Sequence, residues 1–145
     1  MPTVCTAVLR RQLVALGEDP DNFADEFNAW KAKGAAGEYD NYMFGKDGAY
    51  GTRLPQSLRH VHLVPLADAA ALAAWNTQWF RRGRKVSDRA LVYASDATHG
   101  HLLIFILNEP DAHRVARMQS PAAVTLMLKL AKIAERFIQD GAVIG

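Results

Sequence analysis

One cysteine, Cys5, is all the thiol that the 145-residue chain carries, so no internal disulfide can form and stability must come from an apolar core. A lone thiol leans toward a reducing compartment, and the cytoplasm is the expected location. No apolar run approaches the ~20 residues of a membrane span. No basic stretch leads into an apolar one at the N-terminus, so neither a transmembrane helix nor a secretory signal is expected. Also missing are the GxxxxGK[ST] phosphate loop, the HExxH helix and CxxC pairs. Together these absences argue against a disulfide-stapled domain, a membrane protein, a P-loop nucleotidase and the common zinc folds. Half of the residues are hydrophobic, and neither a long polar tract nor an internal repeat is present. One ordered domain over residues 1–145 is expected.

What is present is unevenly placed. Residues 1–50 hold 5 Lys/Arg against 8 Asp/Glu, and residues 51–145 hold 12 against 7. All five histidines, His60, His62, His99, His101 and His113, fall in the basic part. If that segregation survives folding, it favours an acidic partner, either nucleic acid or an acidic protein.

Periodicity and punctuation give the elements. Residues 6–14 read as a basic first strand or equally as a helix. Asp19-Pro20 has the chemistry of an N-cap with proline in the first turn, and Phe23, Phe27 and Trp30 follow at helical spacing up to Gly34, making one apolar face for the core. Residues 34–55, rich in Gly, Asp, Asn and Tyr, predict a long loop. Three β-type runs follow, Leu58–Val64, Ala90–Ala94 and Leu102–Leu107, the last apolar on both faces and so expected inside the sheet. Between the first two, Asp68–Phe80 is Ala-rich with Leu72, Trp75 and Trp79 at helical spacing. Ser120-Pro121 opens a long amphipathic helix that Gly141 closes. The sum is an α+β fold: a small, antiparallel-rich sheet with an N-terminal helix and a long C-terminal helix.

Four constellations could carry chemistry. In Arg59-His60-Val61-His62-Leu63, strand alternation sends Val61 and Leu63 inward and turns both imidazoles toward a polar surface or cleft. With His101 they could ligate a metal, or they could serve acid–base chemistry without one. The run Asn108–Arg117 brings His113, Arg114 and Arg117 to the end of the apolar strand. Guanidinium there supplies fixed charge to phosphate oxygens, and imidazole supplies a proton mobile near neutrality. Arg81, Arg82, Arg84 and Lys85, near Trp75, Trp79 and Phe80, form either a solvated basic face, a grip on single-stranded RNA, or a dock for an acidic inhibitor protein. Phe44-Gly45-Lys46-Asp47-Gly48 allows close backbone approach at both glycines and sets a cation beside a carboxylate.

These pieces in this order resemble the YafO family of bacterial type II toxin–antitoxin toxins. The resemblance runs from Phe44-Gly45-Lys46-Asp47 with Tyr50, through His60-Val61-His62-Leu63, Ser87-Asp88 and Leu91-Val92-Tyr93, to Leu102-Leu103-Ile104 and Ile106-Leu107. It continues over Pro110–Arg117 and Lys132–Phe137, covering roughly residues 42–138. The longer N-terminal segment and the stretch Leu66–Lys85 depart from it. It implies a RelE-like α+β toxin, partnered by a cognate antitoxin protein, that cleaves messenger RNA on the ribosome as an endoribonuclease, an mRNA interferase. Toxins of that architecture also poison gyrase by binding alone, so the activity rests on the site.

For RNA cleavage with no cofactor, the ribose 2′-hydroxyl is the nucleophile, and the protein supplies a base, an acid and cations around phosphorus. On that chemistry His113 is the leading acid–base candidate, with His62 or His60 as its partner. Arg117, Arg114 and Lys46 would hold the phosphate. Tyr93 would stack a base or orient the hydroxyl, and Asp47 would act as a second base or position Lys46.

Overall fold

A computed structural model describes residues 2–51 and 53–145. Five strands form one sheet in the order β1-β5-β4-β3-β2, where β1 is Thr3–Cys5, β2 Phe44–Ala49, β3 Arg59–Leu63, β4 Ala90–Asp96 and β5 Gly100–Leu107. Only the β1–β5 pair is parallel. The fold is therefore α+β, with β5 inside the sheet as its two apolar faces demand.

Each face of the sheet has its own core. On one lie helices α1 (Ala7–Ala15) and α2 (Pro20–Ala32), where Leu9, Leu13, Phe23, Phe27 and Trp30 meet Phe44, Val61, Leu63, Leu91, Tyr93 and Leu103. On the other, α6 (Pro121–Asp140) sets Met127, Leu130, Ala134 and Phe137 against Ala90, Val92, Leu102 and Ile104. Each fully buried side chain of this size contributes about 1.5–3 kcal/mol. Capping holds the helices in place. Asp19 accepts from the N–H groups of Asp21 and Asn22, Asp68 from those of Ala70 and Ala71 at the start of α4 (Ala69–Arg81), and Ser120 from that of Ala123. Gly141, in the left-handed region at φ 77°, ends α6.

One alternative is settled and two expectations need correction. Of the strand and the helix left open for residues 6–14, residues 7–15 form the helix, because Thr6 caps it by accepting the Leu9 N–H and its apolar residues Leu9 and Leu13 reach the core one turn apart. Residues 34–55 are not one loop: a 3₁₀ turn, the short helix α3 (Gly37–Asp40) and strand β2 lie within them. Position 45 of β2 requires glycine, because a Cβ there would meet the Lys85 carbonyl oxygen at 2.2 Å and the Trp75 ring at 2.8 Å, whereas Gly48 has open space around it. The charge segregation, finally, does not survive folding. Glu38 and Asp40 of the acidic part pair with Arg84 and Arg82 of the basic part, and Asp47 pairs with Arg59.

Candidate functional site

Strand alternation divides the predicted site residues between the two faces of the sheet. Val61 and Leu63 turn toward α1 and α2, so His60 and His62 turn toward the α6 side. On that side the chain after β5 folds into the short helix α5 (Ala112–Ala116), which lowers His113 onto the β3 histidines. The three rings form a row, with centroids 5.8 Å apart from His60 to His62 and 5.4 Å from His62 to His113. At its inner end, the Tyr50 ring stacks on His60 at 4.2 Å. Of the surface and the cleft that alternation allows for the β3 imidazoles, the fold gives the covered arrangement, because the segment around Leu54 and Leu58 and helix α5 lie over this side of the sheet. His62 is only 5% exposed.

The surroundings of the rings differ. His62 Nδ1 lies between the Ser87 N–H, at 2.9 Å, and the Ser87 carbonyl oxygen, at 2.8 Å. Burial pushes the His62 pKa down, against the Ser87 hydrogen bond, and the positive charge of Lys46 acts in the same direction as burial. Burial, followed by the neighbouring His62, pushes His60 down to about 4, so His60 is neutral at pH 7. His113 is the accessible ring, with its side chain 55% exposed and its Nδ1 3.0 Å from Asp88 Oδ1. The same carboxylate oxygen accepts the His113 backbone N–H at 2.7 Å. One turn further on, Arg117 closes α5 and lines a groove with Tyr50 and Arg53. Lys46 is exposed on β2.

Other predicted residues go elsewhere. Asp47 and Tyr93 face the opposite side of the sheet, in a closed network. The Tyr93 hydroxyl donates to Asp47, Arg59 Nε donates to that hydroxyl at 3.2 Å, and Lys31 Nζ donates to Asp47 at 2.9 Å. Tyr93 has no exposed surface, so it cannot stack a base, and Asp47 positions Lys31 and Arg59 rather than Lys46. Arg114 pairs with Asp111 and lines a different groove, beside Ser120.

The basic run is likewise committed inside the molecule. Arg82 pairs with Asp40. Arg84 makes two parallel hydrogen bonds to Glu38, each 2.9 Å, and they hold that carboxyl below its usual range against the opposing effect of burial. Lys85 has no exposed surface and donates to the Glu38 carbonyl oxygen at 2.6 Å, its ammonium 5.6 and 5.5 Å from the rings of Trp75 and Trp79. A buried, bonded ammonium cannot meet phosphate, so the expectation for Lys85 is corrected. Trp75, fully buried with its indole N–H on the Tyr42 carbonyl oxygen, cannot stack a base either. Arg81 and Phe80 alone of this group project outward without an ionic partner among the described residues. His101 lies on the α2 side, against Phe27 and Ser95, away from His60 and His62, so the three-histidine metal arrangement does not form.

Sequence reasoning gave no role to Asp88, Ser87, Tyr50 or Arg53. Asp88 and Ser87 precede β4, which pairs with β3 at His62↔Ala90. That pairing brings them beside the histidines, and nothing local in the sequence announces it.

This is an α+β protein with a histidine row at one side of its sheet and a groove lined by Arg53 and Arg117 beside it. The family model for toxin YafO of type II toxin–antitoxin systems matches residues 28–139, and the chain belongs to that family. The matched range takes in α4 and the basic run, the stretch Leu66–Lys85 included. No curated protein and no solved structure matches the chain. As a type II toxin it has an antitoxin as its partner. No helix among the described residues is long and apolar enough to cross a membrane.

Proposed function

We propose that the toxin acts as a ribosome-dependent endoribonuclease that cleaves messenger RNA at the histidine row by metal-independent acid–base chemistry. The observation that carries this reading is the approach of His62 and His113 to 5.4 Å from separate parts of the chain, one ring buried and the other accessible. His62, disfavoured from carrying charge, accepts the proton of the ribose 2′-hydroxyl. The 2′-oxygen bonds to phosphorus, the bond from phosphorus to the 5′-oxygen breaks, and His113 delivers a proton to that leaving oxygen. The products are a 2′,3′-cyclic phosphate and a 5′-hydroxyl, with both protons accounted for. Lys46, exposed on β2, offsets the charge on the phosphate oxygens between these events. His60, neutral and stacked on Tyr50, supports His62 from behind.

Primer extension on messages from cells expressing the protein tests this. Discrete cuts within reading frames are expected, and they should fall by ~100-fold or more in His113→Ala, the usual scale for loss of an acid–base group. Intact messages, or full cleavage by a folded His113→Ala variant, would overturn the reading. Broken DNA beside intact messages would indicate a gyrase poison instead.

A further inference from the structure

Most arginines of this chain are already spoken for. Arg10, Arg59, Arg82, Arg84, Arg114 and Arg136 each face a carboxylate. Arg53 and Arg117 do not, among the described residues, and they line one groove together with Tyr50, Leu54 and Met118. No acidic residue lines it. The grooves beside Arg114 and Arg84 differ in just this respect, being lined by Asp111 in one case and by Glu38 and Asp47 in the other. An open groove with two guanidinium groups and no counter-charge is selective for anions, since no carboxylate in it repels them or competes for the donors.

Its position gives the anion an identity. Tyr50, in the groove wall, is the ring that stacks on His60 at the inner end of the histidine row. Arg117 follows His113 by one helical turn, about 6 Å of rise and on the order of one nucleotide step, and Arg53 is tied to the same point, its Nη1 donating to the Arg117 carbonyl oxygen at 3.4 Å. We propose that the Arg53–Arg117 groove is a second phosphate subsite, holding the backbone phosphate of single-stranded RNA next to the one that is cleaved. The proposal rests on the reading of the histidine row as the cleavage centre, and it adds a direction to it: the strand runs from His113 along α5 toward Arg53. Two forked donors on one phosphate fix the register of the strand without reading its bases.

The test measures binding apart from cleavage. A 5′-labelled 2′-deoxy decanucleotide presents the same phosphates but lacks the nucleophile, so its affinity can be followed by fluorescence anisotropy across a salt series. For a single strand, the slope of log K against log salt scales as about −0.7 per phosphate contact. Arg53→Gln should flatten that slope by about 0.7, with the thermal midpoint unchanged because Arg53 is exposed and pairs with no carboxylate among the described residues. Arg11→Gln, which removes an exposed arginine on α1 at the other side of the sheet, should leave the slope as in the wild type. An unchanged slope in Arg53→Gln overturns the subsite and leaves the groove to an acidic protein surface. An equal loss in Arg11→Gln overturns it too, by showing a general field effect. The two readings fail separately: a flattened slope in Arg53→Gln with full cleavage by His113→Ala would keep the subsite and remove the histidine centre.

Discussion

Asp88 holds His113 at two points: one carboxylate oxygen accepts the His113 backbone N–H at 2.7 Å and stands 3.0 Å from the ring Nδ1. The first contact fixes where α5 begins and the second fixes how the ring turns, engaging Nδ1 and leaving Nε2 clear of that carboxylate. Asp88→Asn keeps the shape of the side chain and an oxygen for the backbone N–H, but an amide can present its NH₂ to Nδ1 instead of an acceptor. Cleavage should fall by about 10-fold or more, short of the 10²–10⁴ expected when the imidazole itself is lost. Measured against His113→Ala in the same assay, a double variant should be no worse than His113→Ala alone, because Asp88 acts through that ring.

The row of rings makes the fold sensitive to acid. His60 has its folded pKa near 4, below the ordinary value of 6.5, so the unfolded chain takes up a proton that the folded one refuses. Stability is therefore full above pH 6.5 and is lost as pH falls from there toward 4. This amounts to about 2 kcal/mol between pH 7 and 5 at most, and less where solvent screens the ring, and His62, shifted the same way, adds to it. His60→Phe should keep the stack on Tyr50, remove an unbonded buried Nδ1 and flatten the acid limb. Urea midpoints at pH 7 and pH 5 check this: the gap between them should shrink in the variant.

The elements legible in the sequence are those whose signals are local. Asp19-Pro20, Asp68 and Ser120-Pro121 mark helix starts because the cap bonds only residues two or three positions on. The split between Val61/Leu63 and His60/His62 follows from the pleat alone. Strand β2 was hidden because Gly45, Asp47 and Gly48 are turn formers by composition, and their strand character comes from pairing with β3 across a register shift between Phe44 and Asp47. The histidine row was half legible. Residue type nominated His113 and His62, while their approach depends on how α5 folds back. Lys85 was misread because its partner, the Glu38 carbonyl oxygen, is brought to it by tertiary structure, and nothing near Lys85 in the sequence distinguishes a buried cation from a solvated one.

That cation gives a clean contrast between structure and binding. Lys85→Met retains the alkyl stem beside Trp75 and Trp79 but removes the bond to Glu38 and the charge over both rings. The loss should be about 1–3 kcal/mol of stability, read as a lower urea midpoint. The salt slope of oligonucleotide binding should stay as in the wild type, since a phosphate contact would show as a change of about 0.7.

Tyr93 separates the two faces of the sheet by the same logic. Its hydroxyl donates to Asp47 and accepts from Arg59, on the side away from the histidine row, and burial together with the Asp47 charge pushes its pKa up, so it remains protonated. Tyr93→Phe leaves the aromatic contact with Phe27 in place but deprives a buried carboxylate of one donor and Arg59 of one acceptor. Such a change costs about 1–3 kcal/mol. If the hydroxyl served only this network, the variant should melt several degrees lower and still cleave messages within a few-fold of wild type below its melting point. A Tyr93→Phe protein that is as stable as the wild type but no longer cleaves would instead place that hydroxyl at the RNA, and would move the reacting centre to the Asp47–Arg59–Lys31 side of the sheet.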